Sequence, residues 1–172
     1  MYGLEQGVDQ RDGALPALAG DPCPVSDERI VLMGLIVETN GHLSRALGSE
    51  LERACGLPLT WFDVLIRLGR AAEKRLTMSQ LAEGVLLTSG GITRLVDRMT
   101  EAGYVERQSC PSDRRSIYVA LTDTGRAKMQ EAVEVHLEGL DRHLVGPLDE
   151  SERQELDRIL RKLRGDGPIC GS

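Results

Sequence analysis

Between residues 91 and 121 the chain changes from the hydrophobic spacing of a helix to that of a strand. Apolar residues first recur at helical spacing on one face; they are Ile92, Leu95, Met99 and Ala102. Polar residues fall on the opposite face; they are Thr93, Arg94, Asp97, Arg98 and Glu101. This pattern is typical of a helix that packs on one side only. The polar side of the predicted helix is therefore free to bind a partner.

Neighbouring residues mark the ends of this helix and predict a β-hairpin after it. Thr88 can accept a hydrogen bond from a backbone amide of the first turn, and Gly103 can adopt the left-handed conformation that ends a helix. After Gly103, residues 104–108 and 117–121 are rich in β-branched and aromatic side chains. Pro111 lies between these two runs and favours a turn. The spacing predicts two strands joined by a long tip.

A shorter helix is predicted immediately upstream, where Thr77 and Gln80 fit a capping box. The predicted order is then a short helix, a turn, a longer helix with a polar face, and a hairpin whose tip carries Arg114 and Arg115. This is the order of a winged helix-turn-helix, in which the second helix enters a DNA groove. Asp113 can orient one of the two arginines through a charge-assisted hydrogen bond.

Residues 77–126 resemble the DNA-binding lobe of the MarR (multiple-antibiotic-resistance regulator) family of transcription factors. The features that carry the resemblance are Thr93-Arg94, Asp97-Arg98, the run from Glu101 to Arg107, Asp113-Arg114-Arg115, and the run from Leu121 to Gly125. The resemblance implies a DNA-binding regulator, most often a homodimeric repressor of a pseudo-palindromic operator that a small ligand releases. An aromatic or anionic ligand is typical of the family.

The predicted DNA contacts lie in the longer helix and at the tip of the wing. Arg94 and Arg98 are four residues apart, so both can reach guanine edges or phosphates in the major groove. The alternative for them is solvation, or an ion pair with Asp97 or Glu101. The resemblance places Arg115 in the minor groove, where narrow A·T-rich DNA concentrates negative potential. It also implies that Asp113 braces Arg115 and that Arg114 contacts phosphate.

Small residues in the first turns of the longer helix are predicted to contact phosphate. They are Ser89, Gly90, Gly91 and Thr93. Hydroxyl groups and backbone amides suit a phosphate at a helix N-terminus, and the two glycines allow the backbones to approach closely. The alternative is that these glycines relieve crowding between helices.

An effector site is expected near the junction of the DNA-binding lobe and the dimerisation helices, because relatives bind aromatic anions there. His42, Trp61 and Asp63 are the candidate ligand-binding residues. The alternative is that Trp61 is a core residue and His42 a buried histidine with a hydrogen-bond partner.

Helical patterns flank the DNA-binding lobe and predict how the whole chain is organised. A long helix spans about 26–54, Thr60 is predicted to cap a second helix, Thr122 starts another that ends near Gly146, and a last helix covers 149–166. Apolar stripes at both ends of the chain are too far apart for one small lobe to bury, which predicts a homodimer. The predicted regions are a flexible leader (1–25), an N-terminal dimerisation helix (26–58), a winged helix-turn-helix lobe (60–121), C-terminal dimerisation helices (122–165) and a tail (166–172).

Composition and charge narrow the classes of protein that fit. The 172 residues are 41% hydrophobic and carry a net charge of −6, and no apolar run approaches the ~20 residues that a membrane span requires. The absence of a signal-peptide pattern near the N-terminus predicts a cytoplasmic protein. Residues 1–29 carry −4 of the net charge, whereas residues 88–121 carry +1. This distribution favours a specific DNA-binding protein over a general nucleic-acid coat.

Candidate chemistry outside the lobe is sparse. Cys23, Cys55, Cys110 and Cys170 lack the spacing of a zinc site or a disulfide framework, and His136 and His143 are expected at the surface or the dimer interface. No catalytic motif, metal site or cofactor is predicted, so the mostly helical fold with a small β-hairpin wing is not expected to be an enzyme. Two alternatives remain: a winged-helix module that binds protein, and a regulator that responds to oxidants through a cysteine.

Overall fold

The computed structural model describes residues 26–85, 89–109 and 117–165. The chain divides into two units, with the boundary between Glu38 and Thr39. The helices are α1 (Glu28–Cys55), α2 (Leu59–Arg70), α3 (Met78–Val85), α4 (Ser89–Glu101), α5 (Asp123–Leu140) and α6 (Glu150–Arg164), and the strands are β1 (Arg75–Thr77), β2 (Val105–Ser109) and β3 (Ile117–Leu121). The fold is mostly helical with a small wing, as predicted. The predicted leader and tail lie outside the described residues, and Thr88 does too.

The wing is a three-stranded antiparallel sheet rather than the predicted two-stranded hairpin. Its strand order is β1-β3-β2, with Leu76 of β1 opposite Val119 and Val105 of β2 opposite Leu121. The sequence did not predict β1 because three residues are too few to establish a period of two. Its last residue, Thr77, also caps the following helix, and that signal is the stronger of the two.

The hydrophobic core lies where α2 packs against α3, α5 and β3. Four apolar residues of α2 are buried; they are Phe62, Val64, Leu65 and Leu68. Each such side chain contributes about 1.5–3 kcal/mol when it is fully buried. Leu81 of α3, Val105 of β2 and Val119 of β3 complete the centre of the lobe.

Two details of the predicted helices are wrong. Thr60 does not cap α2, because the helix already begins at Leu59 with Pro58 as its N-cap residue. The ring of Pro58 fixes its φ at −59°, and its carbonyl oxygen accepts hydrogen bonds from Trp61 (2.9 Å) and Phe62. Ala102, which was expected inside, is exposed because α4 ends one residue earlier.

Side-chain caps start three other helices. Thr77 donates its amide to Oε1 of Gln80 (2.9 Å), and the amide of Gln80 donates to Oγ1 of Thr77 (3.2 Å). This reciprocal pair is the predicted capping box at the start of α3. Thr122 accepts from the amide of Gly125 at the start of α5. Asp149 forms a second capping box at the start of α6.

The C-terminal half of α1 is tied to a short π-helical turn that follows α5. The turn spans Asp141–Val145 and closes with a hydrogen bond from the amide of Gly146 to the carbonyl of Asp141 (2.7 Å). Glu50 of α1 pairs with Arg142 and with Nε2 of His143 (2.9 Å). These bonds cross from one helix to another, so they fix the C-terminal end of α5 against α1.

Several large apolar side chains near the C-terminus are exposed. Leu160 is 55% exposed and Leu163 is 67% exposed on α6, and Leu137 of α5 is 55% exposed. The N-terminal part of α1 also presents exposed apolar residues, from Ile30 to Val37. Within the described ranges, no helix is both long enough and apolar enough to span a membrane.

The wing and α5 meet at a tight backbone contact. Gly103 has a φ of +75° and ends α4, with the amide of Tyr104 donating to the carbonyl of Met99 (3.0 Å). Thr122 donates its hydroxyl to the carbonyl of Gly103 (2.6 Å) and its amide to that of Tyr104 (3.2 Å). A Cβ atom on Gly125 would lie 1.9 Å from the same carbonyl oxygen of Tyr104. Only glycine fits at this position without a shift of the backbone.

We predict that Gly125→Ala lowers the free energy of unfolding by about 1–3 kcal/mol, because the added methyl group overlaps a backbone oxygen. Urea denaturation followed by circular dichroism measures this loss. Gly90→Ala is the matched control, since a Cβ atom on Gly90 would have no described atom within 4 Å. Equal stability of Gly125→Ala and the wild type would contradict the close contact.

Candidate nucleic-acid interface

Helix α4 is buried on one face and exposed on the other, as its sequence pattern predicted. Ile92, Leu95 and Met99 are buried, and Val96 joins them. They pack where α4 meets α3 and β2. The polar residues therefore point away from the core. Thr93, Arg94 and Arg98 are exposed on this outer face.

Arg94 and Arg98 are available to an external anion. Neither guanidinium forms an ion pair with any residue in the described part of the chain. The alternative of a pair with Asp97 or Glu101 is therefore not realised there. Asp97 instead pairs with Arg107 of β2, with 2.7 Å between Oδ1 and Nη2.

The first turn of α4 is open at Gly90. This residue is exposed, and no described atom lies within 4 Å of where its Cβ atom would be. Crowding between helices therefore does not explain the glycine. Gly91 is half-buried, while the side chain of Ser89 lies outside the description. The N-terminus of a helix carries partial positive charge and free amides, which suit a phosphate.

The base of the wing is described, but its tip is not. Ser109 of β2 pairs with Ile117 of β3, and residues 110–116 join the two strands. Asp113, Arg114 and Arg115 thus lie outside the described residues, so their predicted roles remain predictions. The base itself is firmly held, because Val105 and Val119 are buried in the core.

Comparison with known proteins identifies this arrangement. Residues 56–116 match the model of the MarR family. The HTH-type transcriptional regulator PecS from Dickeya dadantii is 28% identical over 137 residues, which are 79% of this chain and 81% of PecS. Sco3205, a MarR family transcriptional regulator from Streptomyces coelicolor solved in complex with DNA, aligns with a TM-score of 0.74 and 25% identity over 84% of this chain and 90% of its own. The chain belongs to the MarR family.

A second DNA complex supports the same assignment. A MarR variant from Escherichia coli, solved in complex with operator DNA, aligns with a TM-score of 0.72 and 28% identity over 83% of this chain and 99% of its own. The MarR-family chain is therefore a DNA-binding transcriptional regulator with a winged helix-turn-helix, and the family is not enzymatic. A module that binds only protein does not fit this membership.

The three predicted effector residues of this MarR-family chain lie on α1 and α2. Trp61 is half-buried, and its ring meets that of Tyr104 edge to face at 6.0 Å between centroids. His42 is exposed on α1, and Asp63 is half-buried on α2. A cleft of about 530 Å³ lies beside Arg75, and another of about 370 Å³ lies between α1 and α5. Neither is lined by His42, Trp61 or Asp63.

Asp63 belongs instead to a half-buried polar group that the sequence analysis did not assemble. Burial raises the pKa of the Asp63 carboxyl, and the positive charges of Arg67 and His136 oppose this shift. Burial lowers the pKa of His136, whose ring packs 4.5 Å from that of Phe62 between centroids. Its Nδ1 atom has no hydrogen-bond partner among the described atoms. His136 is thus half-buried, whereas the sequence predicted a position at the surface or the dimer interface.

One of the four cysteines lies among the described residues. Cys55 is a free, buried thiol, and burial raises its pKa, with the charge of Glu131 acting in the same direction. A buried thiol of raised pKa reacts slowly with oxidants. The other three cysteines lie outside the described residues. Within the described ranges, no cluster of three or more acidic, histidine or cysteine side chains could hold a metal ion.

Proposed function

We propose that this MarR-family regulator is a homodimeric repressor that binds a pseudo-palindromic operator in the cytoplasm and leaves it when a small ligand binds. The observation that carries the proposal is the exposed outer face of α4, where Arg94 and Arg98 have no ion-pair partner among the described residues. An arginine pair of this kind suits guanine edges and phosphates in the major groove. The operator complex of the Escherichia coli relative supports an operator as the target.

Contacts to the DNA backbone would come from the first turn of α4. Ser89, Gly90, Gly91 and Thr93 lie in the first two turns, and the open space around Gly90 would let a phosphate approach the helix N-terminus. Contacts to the minor groove would come from Arg115, braced by Asp113, with Arg114 on a phosphate. Each half of the dimer would then contribute one helix and one wing tip.

Pairing of two chains would cover the exposed apolar residues of the terminal helices. Leu160 and Leu163 lie on the apolar stripe of α6, and the exposed side chains cost free energy in water. The proposed dimerisation regions are residues 26–58 and 122–165. The α4 helix of each chain is the recognition helix of such a dimer, and the two would enter major grooves about 34–36 Å apart.

The effector site is proposed for the region of α2 that carries Trp61 and Asp63, with His42 as a further candidate. Asp63, Arg67 and His136 provide donors and acceptors in a half-buried setting beside Phe62. These groups suit a small aromatic or anionic molecule. A ligand that binds the released form more tightly than the DNA-bound form would lower the affinity for the operator.

Arg94→Ala and Arg115→Ala are each expected to weaken operator binding by about 1–3 kcal/mol, because each removes a base or groove contact. A footprint on the DNA upstream of the gene gives the operator, and electrophoretic shift titration at fixed salt gives the affinity. Arg70→Ala is the control, since Arg70 is an exposed arginine at the end of α2, outside the proposed DNA contacts and dimerisation regions. Unchanged affinity of both test variants would refute the proposed contacts.

Leu163→Glu is expected to raise the dimer dissociation constant at least about tenfold, because two charges replace apolar side chains at the proposed interface. Sedimentation velocity over a range of concentrations measures it. Lys162→Glu changes the charge of the adjacent exposed residue and should leave the dimer intact. A wild-type chain that is monomeric throughout, or a Leu163→Glu dimer of unchanged affinity, would exclude this interface.

Salicylate or urate is expected to raise the melting temperature of the protein and to release the operator duplex. Both effects should occur near the concentration that equals the dissociation constant of the compound. Asp63→Asn and Trp61→Phe should each weaken this response, whereas His143→Gln, which alters the pair with Glu50, should not. No response to these two compounds or to a wider panel of aromatic anions would remove the effector from the proposal.

A further inference from the structure

Asp97 places a negative charge on the outer face of the recognition helix. It follows Arg94 by three residues and directly precedes Arg98, and its side chain is 47% exposed. A carboxylate at this place repels DNA phosphates, and a cationic partner offsets this repulsion. The structure shows one partner for it, Arg107 of β2, at 2.7 Å.

The position of Arg107 follows from the alternation of side chains along β2. Val105 and Arg107 are two residues apart, so they face the same side of the strand. Val105 is buried where β2 packs against α4, and Arg107 lies about 7 Å farther along the strand toward the wing tip. The ion pair with Asp97 therefore extends the contact between strand and helix beyond the apolar core.

We propose that the Asp97–Arg107 pair is a brace that sets the wing at a fixed orientation to the recognition helix, which makes both residues positioning residues for operator recognition. Helix and wing must enter neighbouring grooves at the same time, so their relative orientation has to match the spacing of those grooves. The buried Val105 fixes only the base of the wing, whereas Arg107 holds it nearer the tip. This inference rests on the proposed contacts of Arg94 and of the wing.

An ordinary surface ion pair predicts a different result from a brace. Such a pair contributes about 0–1 kcal/mol to stability and has no effect on which sequence is bound. A simple charge effect predicts a third result: removal of the negative charge of Asp97 would tighten binding to every duplex, whatever its sequence. A brace predicts that removal of either charge lowers the preference for the operator, even where the variant is more positive than the wild type.

The experiment uses the full chain and three variants: Asp97→Asn, Arg107→Gln and the double variant. Affinities are measured for an operator duplex recovered by selection from a random library and for a pool of random-sequence duplexes of the same length, at one salt concentration. The expected ratio of the two affinities falls about threefold to fivefold in each single variant, the range that an exposed pair can supply. The double variant should show the same fall in this ratio, because either single substitution already breaks the ion pair.

Two outcomes would overturn the brace. One is an Asp97→Asn variant that binds operator and random duplexes more tightly in parallel, as a pure charge effect predicts. The other is a pattern of affinity ratios that a brace does not produce: either the ratio of operator to random-duplex affinity is unchanged in the single variants, or the two single changes add in the double variant. Melting temperatures of all variants, measured alongside, show that each is folded at the temperature of the titrations.

Glu73 supplies the control, because it forms a surface ion pair with Arg75 and lies outside both the proposed DNA contacts and the proposed dimerisation regions. Glu73→Gln should leave the affinity ratio unchanged. Arg94→Ala, titrated in the same series, separates this inference from the proposed function. If Arg94→Ala binds the operator normally, the proposed contacts fail; if it weakens binding while the brace variants do not, only the brace fails.

Discussion

The one-sided burial of α4 is the constraint on which the rest of the DNA-binding lobe depends. Ile92, Leu95, Val96 and Met99 are each at most 3% exposed, so rotation of the helix about its axis would expose several of them to water. At about 1.5–3 kcal/mol for each side chain, this burial is comparable to the net stability of a whole domain. The direction in which Arg94 and Arg98 point is therefore fixed by apolar residues rather than by the arginines themselves.

The base of the wing is also held in place by close packing. Gly103 and Gly125 allow the chain to leave α4 and to enter α5 on either side of the Tyr104 carbonyl, which accepts a hydrogen bond from Thr122. The sequence run from Leu121 to Gly125, a mark of the family resemblance, thus has a direct packing reason. It holds the start of α5 against the end of α4 and the base of the wing.

The parts of the fold that the sequence predicted are those with a local signal. The period of α4, the capping box at Thr77 and the left-handed Gly103 each need only a few neighbouring residues, and the structure has all three. Strand β1 was missed because its only signal is its pairing with β3, across more than forty residues of sequence. The Asp97–Arg107 pair was missed for a similar reason: the helical pattern offered Arg94 and Arg98 as nearer partners for Asp97, and only the packing of β2 on α4 brings Arg107 close.

In this DNA-binding protein the positions of the charged residues matter more than the net charge of the chain. A net charge of −6 disfavours approach to DNA in general, and α4 itself carries two acidic residues, Asp97 and Glu101, beside its two arginines. Nonspecific binding scales with the number of phosphates that cations neutralise, so a chain of this composition gains little from DNA of arbitrary sequence. With the contacts proposed above, affinity would come from a few arginines, two of them on a helix that its buried face holds in place. Weak attraction to all DNA combined with well-placed contacts to one site raises the ratio of specific to nonspecific binding, which is the quantity that decides occupancy of an operator in a genome.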